Sequence, residues 1–202
     1  MAGEARLVEE KSRASEMTAK ANYQVDAARS QFTAQAFSGG LLSAFGHSPV
    51  LAIRNFSCAV DFDSEAVEHS RLRMVIDAAS LAVKNDVSDK DRAEIERTMR
   101  EEILETAAYP EIVYECSNVA AVKAGDGQYS VTLNGDLIMH GVSRSKTVAA
   151  QVALTGDSLR AFGTFSLLQS DYDLKLASVA GGALKVKDEL KFSFNIFARK
   201  KE

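Results

Sequence analysis

The chain has 202 residues, of which 46% are hydrophobic and 26% charged, close to the averages for soluble globular proteins. Its formal net charge is -4 and no basic stripe is visible, which argues against a nucleic-acid-binding function. No stretch approaches the ~18 apolar residues of a transmembrane helix, and the first residues lack the apolar run of a secretory signal peptide.

These features predict a cytoplasmic protein, or a periplasmic one if an export signal has been removed. Residues 1–21 mix both signs of charge and are predicted to form a polar N-terminal arm, followed by one domain over residues 22–202. Cys58 and Cys116 are too few for a disulfide scaffold and lie in strand-like patterns. We expect them to be reduced thiols in the core.

From Tyr23 onward the dominant pattern is an alternation with period two, which is typical of half-buried strands. It is clearest over 190–196, where four apolar side chains alternate with polar ones. Similar runs occupy 31–37, 50–62, 71–78, 111–117, 129–139, 148–154 and 162–168. The turn sequences Gly125-Asp126-Gly127 and Thr155-Gly156-Asp157 suit the reversals between hairpin strands. The sequence therefore predicts an all-β fold, an antiparallel barrel of about eight strands.

Residues 89–106 break the alternation and predict one inserted α-helix. Ser88 is a suitable N-cap with Asp91 three residues on, a weak form of the capping box. An apolar stripe follows at a spacing of four residues: Ile95, Met99 and Ile103, with Leu104 beside them. Two interpretations stay open, a surface helix with one buried seam and a lid over a cavity.

The alternating positions that point inwards define a predicted lumen. An eight-stranded barrel is either filled by its own side chains or just wide enough for one ligand. Small residues in the same phase, such as Ala34 and Ala150, favour free space, although a solid core stays open. The ligand should be mainly hydrocarbon, because each buried methylene is worth about 0.8 kcal/mol. The predicted lining residues are Phe32, Phe56, Phe62, Met74, Ile76, Tyr114, Val131, Leu133, Leu137, Met139, Val148, Val152, Phe192, Phe194 and Ile196.

Two histidines beside glycines at strand ends, His47 and His140, are candidates for polar contacts with a ligand head group. Neither belongs to an H-x-H, H-E-x-x-H or C-x-x-C pattern, so no metal site is predicted. No G-x-S-x-G elbow is present, and we predict no catalytic residue and no cofactor. Two alternatives stay open: a lipid-acting enzyme that uses His47 and His140, and a solid barrel that serves as a protein-interaction module. A homodimer is also left open.

Four segments in order resemble the YceI-like family of polyisoprenoid-binding and lipid-binding proteins, over nearly all of 23–198. They are 23–26, 108–114, 135–143 and 186–190, the third being similar to the family signature G-x-L-x-x-H-G-V-T. The resemblance implies a lipocalin-like, extended antiparallel barrel with a tunnel for an isoprenoid or fatty chain. It implies a non-catalytic protein that binds, transports or sequesters an amphipathic lipid, either a polyisoprenoid or a fatty-acid derivative.

Overall fold

A computed structural model describes residues 20–39, 48–63, 66–176, 178–179 and 184–201. Within these residues twelve strands pair antiparallel in one sheet. The strands are β1 (Lys20–Val25), β2 (Gln31–Gly39), β3 (Val50–Ile53), β4 (Phe56–Asp63), β5 (Arg71–Asp77), β6 (Leu81–Val83), β7 (Glu111–Gly125), β8 (Gln128–Met139), β9 (Val142–Thr155), β10 (Ser158–Leu168), β11 (Ser178–Val179) and β12 (Leu184–Lys200). The α-helix is α1 (Asp89–Thr98), and it continues into a π-helical turn over Met99–Ile103.

Eight of the strands close into a barrel in the order β1-β4-β5-β7-β8-β9-β10-β12, because β12 pairs back onto β1. Strand β12 pairs with β10 along one edge, from Glu189 to Arg199. Along its other edge it pairs first with β2 and then, near its end, with β1. Strands β3 and β6 extend the sheet beyond β2. The predicted antiparallel barrel of about eight strands with one inserted helix is confirmed.

The strand order departs from a simple meander at the beginning of the chain. Strands β7 to β10 follow one another as hairpins, with Gly127 and Gly156 at positive φ in two of the predicted turns. Strand β1, however, pairs with β4 and β12 and not with β2. The predicted run 50–62 divides at Arg54 and Asn55 into β3 and β4, which pair with different neighbours. Strand β1 begins at Lys20, and the rest of the predicted arm lies outside the described residues.

Helix α1 begins where the capping residue predicts, since the Ser88 hydroxyl accepts a hydrogen bond of 3.1 Å from the Asp91 amide. The regular helix ends at Thr98, earlier than predicted, and the π-helical turn follows. Two helix side chains bind the backbone of the three-residue strand β6. Arg92 donates to the Val83 carbonyl, and Glu96 accepts from the Val83 amide at 2.9 Å. Helix α1 thus satisfies polar groups on the outer edge of the sheet.

In the part of the chain that the structure describes, none of the helices combines the length and the apolar character needed to traverse a bilayer.

Candidate binding cavity

A cavity of about 640 Å³ occupies the interior of the barrel. Its volume falls within the range of about 300–1,000 Å³ that is typical of small-molecule sites. All eight barrel strands contribute to its wall, together with β2, β3 and β6. Residues of α1 and the π-helical turn, namely Ile95, Thr98, Met99 and Ile103, close one side. The barrel is therefore not filled solid, which contradicts the solid-core alternative.

The cavity wall is apolar because the strand positions that point into the barrel carry apolar side chains. Predicted lumen residues that line the cavity are Phe32, Phe62, Met74, Ile76, Tyr114, Val131, Leu133, Leu137, Met139, Val148, Val152, Phe192, Phe194 and Ile196. The exception is Phe56, which is buried and meets the Phe32 ring edge-on at a centroid distance of 6.0 Å but does not line the cavity. Contact of the lining residues with a ligand stays a prediction.

Two ionisable side chains of the wall are held in their neutral form. Tyr114 lies on β7, and its hydroxyl is within hydrogen-bond distance of the Leu133 and Lys146 carbonyls, at 3.1 and 3.0 Å. Burial raises the pKa of the Tyr114 phenol well above its usual value. Burial also raises the pKa of the Cys58 thiol to about 12. Neither group therefore adds a charge to the cavity at neutral pH.

Lys146 is a lining residue that the alternation did not predict. It lies on β9 in the same phase as Val148, Ala150 and Val152, so its side chain enters the barrel. The predicted strand begins at Val148 and so leaves Lys146 out, and lysine side chains are mostly exposed in proteins. Two exposed carboxylate residues, Asp91 and Glu94, also border the cavity where α1 covers it.

His140 lies outside the cavity wall, at the two-residue turn between β8 and β9. Its ring contacts Tyr109 at a centroid distance of 4.4 Å, and its Nε2 lies 3.1 Å from a Glu105 carboxylate oxygen. The hydrogen bond with His140 and a second one from Lys175 lower the pKa of Glu105. His140 therefore connects the turn between β8 and β9 to the segment that follows the π-helical turn. Its predicted contact with a ligand head group stays a prediction.

His47, the other candidate for a head-group contact, lies outside the described residues. The enzyme alternative, which uses both His47 and His140, therefore stays a hypothesis. Across the described ranges, no three His, Cys, Asp or Glu side chains are grouped so that they could hold a metal ion.

Comparison of the sequence with known proteins identifies a matching family profile and two similar proteins. A family profile described as "YceI-like domain" matches residues 23–198. A UPF0312 protein of Vibrio parahaemolyticus is 29% identical over 126 residues, which cover 59% of this chain and 61% of the relative. A second UPF0312 protein, of Vibrio campbellii, is 29% identical over 103 residues, or 50% of this chain and 49% of the relative. The chain thus spans about half to three fifths of these relatives.

Solved structures share the fold at lower identity. BcnA of Burkholderia cenocepacia superposes with a TM-score of 0.65 and 24% identity, covering 86% of this chain and 98% of that protein. A structure from Saccharophagus degradans, described as a polyisoprenoid binding domain, gives a TM-score of 0.60 and 16% identity, with coverage of 89% and 98%. The YCEI protein of Campylobacter jejuni gives 0.58 and 16%, covering 75% and 85%. These similarities establish the fold.

Proposed function

Because the chain belongs to the YceI-like domain family, we propose that its barrel binds a single lipid-like molecule and carries or sequesters it without changing it chemically. The proposed ligand class is a polyisoprenoid or a fatty-acid derivative. The observation that carries the proposal is the apolar cavity of about 640 Å³ inside the barrel. The description of the Saccharophagus degradans relative as a polyisoprenoid binding domain supports the same ligand class.

The physical reason for a lipid lies in the composition of the cavity wall. Phenylalanine, leucine, valine and methionine side chains dominate the lining, and the Tyr114 hydroxyl is already engaged with backbone carbonyls. Such a wall gives a polar ligand few hydrogen-bond partners, and unpaired polar groups are costly to bury. A hydrocarbon chain gains about 0.8 kcal/mol per buried methylene. The wall therefore favours a ligand that is mostly hydrocarbon.

Native mass spectrometry of the purified protein tests the proposal. We expect a population whose excess mass is lost on denaturation and is recovered as lipid in an organic extract. Protein that is stripped of lipid should take up an added long-chain compound in a one-to-one ratio. Absence of copurified lipid, together with no uptake of any added chain, would contradict the proposal. The same spectra report whether two copies associate, the homodimer that the sequence leaves open.

A further inference from the structure

Lys146 places a positive charge against an otherwise apolar part of the cavity wall. The side chains at 148, 150 and 152 of β9 face the lumen, and Lys146 continues that row toward the strand's beginning. Lys146 is half-buried, and the neighbouring strand β10 contributes Phe165 and Leu167 to the same cavity. Lysine is rarely directed into an apolar interior without a partner. Its position therefore calls for an explanation.

The ammonium group of Lys146 has unused hydrogen-bonding capacity. Its Nζ donates to the backbone carbonyl of Ser166 on β10, whereas an ammonium group carries three donors. The ion pairs found in the described ranges do not include Lys146. The carboxylates of Asp91 and Glu94 border the cavity on the exposed face of α1 and are not bound to Lys146. The charge thus lacks a counter-ion from the described part of the protein.

The hydrogen-bonded pairing of the barrel strands is interrupted next to Lys146. Strands β9 and β10 pair with each other from Thr155 and Ser158 as far as Gln151 and Phe162. Beyond this point they are not paired with each other, although β9 still pairs with β8 and β10 with β12. The bond from Lys146 to Ser166 crosses this unpaired section. A polar group of a ligand could therefore approach the ammonium from the lumen without displacing the ladder of the sheet.

We propose that Lys146 binds the anionic end group of the lipid, a carboxylate or a phosphate monoester. This inference rests on the proposed function and names the ligand class more narrowly. A lysine ammonium forms charge-assisted hydrogen bonds with either anion, and these are stronger than bonds between neutral groups. The anion supplies the counter-ion that the apolar wall lacks, while the hydrocarbon chain occupies the rest of the cavity.

Calorimetric titration with three ligands of one chain length tests the assignment: hexadecanoate, hexadecyl phosphate and hexadecanol. The stripped wild-type protein should bind at least one anion roughly tenfold or more tightly than the alcohol. Lys146→Met should remove this preference and leave the affinity for the alcohol nearly unchanged. Lys191→Met is the matched control, because Lys191 is exposed on the outside of β12, and it should behave as wild type.

Two further variants keep the test valid if Lys146→Met folds poorly. Lys146→Gln is also neutral and should lose the preference, whereas Lys146→Arg keeps the charge and should retain it. A wild-type protein that binds acid, phosphate and alcohol equally would overturn the assignment, as would a preference that survives in both neutral variants. If none of the three chains binds, the assignment fails for straight-chain ligands, and the mass-spectrometric test above decides separately whether the proposed function fails with it. A preference for only one of the two anions supports the assignment and identifies the head group.

Discussion

At the scale of single residues, the wall of the cavity contains a cysteine whose ionisation is coupled to folding. Cys58 lies on β4, is 5% exposed and lines the lumen. Burial raises its pKa from 9.0 to about 12. The thiolate, which is the reactive form of cysteine, is thus suppressed in the folded protein. We expect Cys58 to act as a small apolar wall residue, in line with the core thiol that the sequence predicts.

This pKa shift predicts a loss of stability at alkaline pH. Between about pH 9 and about pH 12 the unfolded chain releases the Cys58 proton while the folded chain retains it, so the free energy of unfolding falls as the pH rises. From about pH 8 to about pH 10 the loss amounts to about 1.4 kcal/mol. Urea unfolding of wild type and Cys58→Ala at both pH values measures it.

The comparison of the two proteins isolates the cysteine. Burial also raises the pKa of Tyr23, Tyr114 and Tyr172, but these phenols are present in both proteins and their contributions cancel. The stability of wild type relative to Cys58→Ala should therefore decline over this pH interval. A difference that stays constant with pH would contradict a buried, protonated thiol.

At the scale of secondary-structure elements, α1 stabilises the end of the sheet as well as covering the cavity. Strand β6 pairs with β3 on one side, and its Val83 residue, 2% exposed, directs its amide and carbonyl to Glu96 and Arg92 on the helix. A buried backbone group that loses its partner costs about 1–3 kcal/mol. The helix is therefore tied to the sheet by polar contacts in addition to its apolar stripe.

A pair of arginine variants separates this contact from the general effect of removing a helical charge. Arg92→Met should lower the free energy of unfolding by about 1.5–3 kcal/mol, because the Val83 and Asn85 carbonyls lose their donor. Arg97→Met should lower it far less, because Arg97 pairs at the solvent-exposed surface with Glu101 and Glu102 of the π-helical turn. Chemical unfolding measures both values, and equal losses would refute the role of Arg92 at the sheet edge.

The sequence predicted long elements better than short ones, for a physical reason. The alternation over 190–196 spans several residues of one strand, and it correctly placed Phe192, Phe194 and Ile196 on the lumen side. Strand β6 has three residues, too few for a period of two to be visible, and was not predicted. The break at Arg54 and Asn55 was also missed, since side-chain alternation does not report a change of pairing partner.

Residues whose placement depends on distant strands were the hardest to predict. Phe56 has the inward phase, but the branching of β12 toward β2 brings Phe32 against it and leaves Phe56 off the cavity wall. Lys146 has the inward phase too, although its charge suggests an outward position. The sequence does contain a signal for the inward orientation of Lys146, which is its spacing of two residues from Val148. Composition and local propensity could not indicate that an ammonium group would face the lumen.

At the scale of the whole molecule, the free volume of the barrel determines its capacity for a ligand. Ala150 and Ala149 are neighbours on β9, the first buried against the lumen and the second exposed outside. Ala150→Leu should fill part of the cavity and displace about two methylenes of a bound chain. Because each methylene contributes about 0.8 kcal/mol, the affinity for hexadecanoate should fall roughly tenfold.

Ala149→Leu carries the same added volume on the outer surface and should bind as wild type does. Thermal unfolding of both variants verifies that they are folded, since overpacking alone costs about 1–3 kcal/mol. Calorimetric titration then compares their affinities. Undiminished binding by a folded Ala150→Leu protein would show that the chain does not occupy this part of the barrel.

The divided pairing of β12 also constrains how the barrel is assembled. This strand joins β10 on one edge and both β2 and β1 on the other, and it follows all of them in the chain. Until β12 is in place, β2, β3 and β6 are not paired with the rest of the sheet, and the barrel stays open between β1 and β10. Contacts between residues that are far apart in the sequence slow folding, and they prolong the time during which folding intermediates expose apolar surface. The barrel therefore cannot close before β12 has been synthesised.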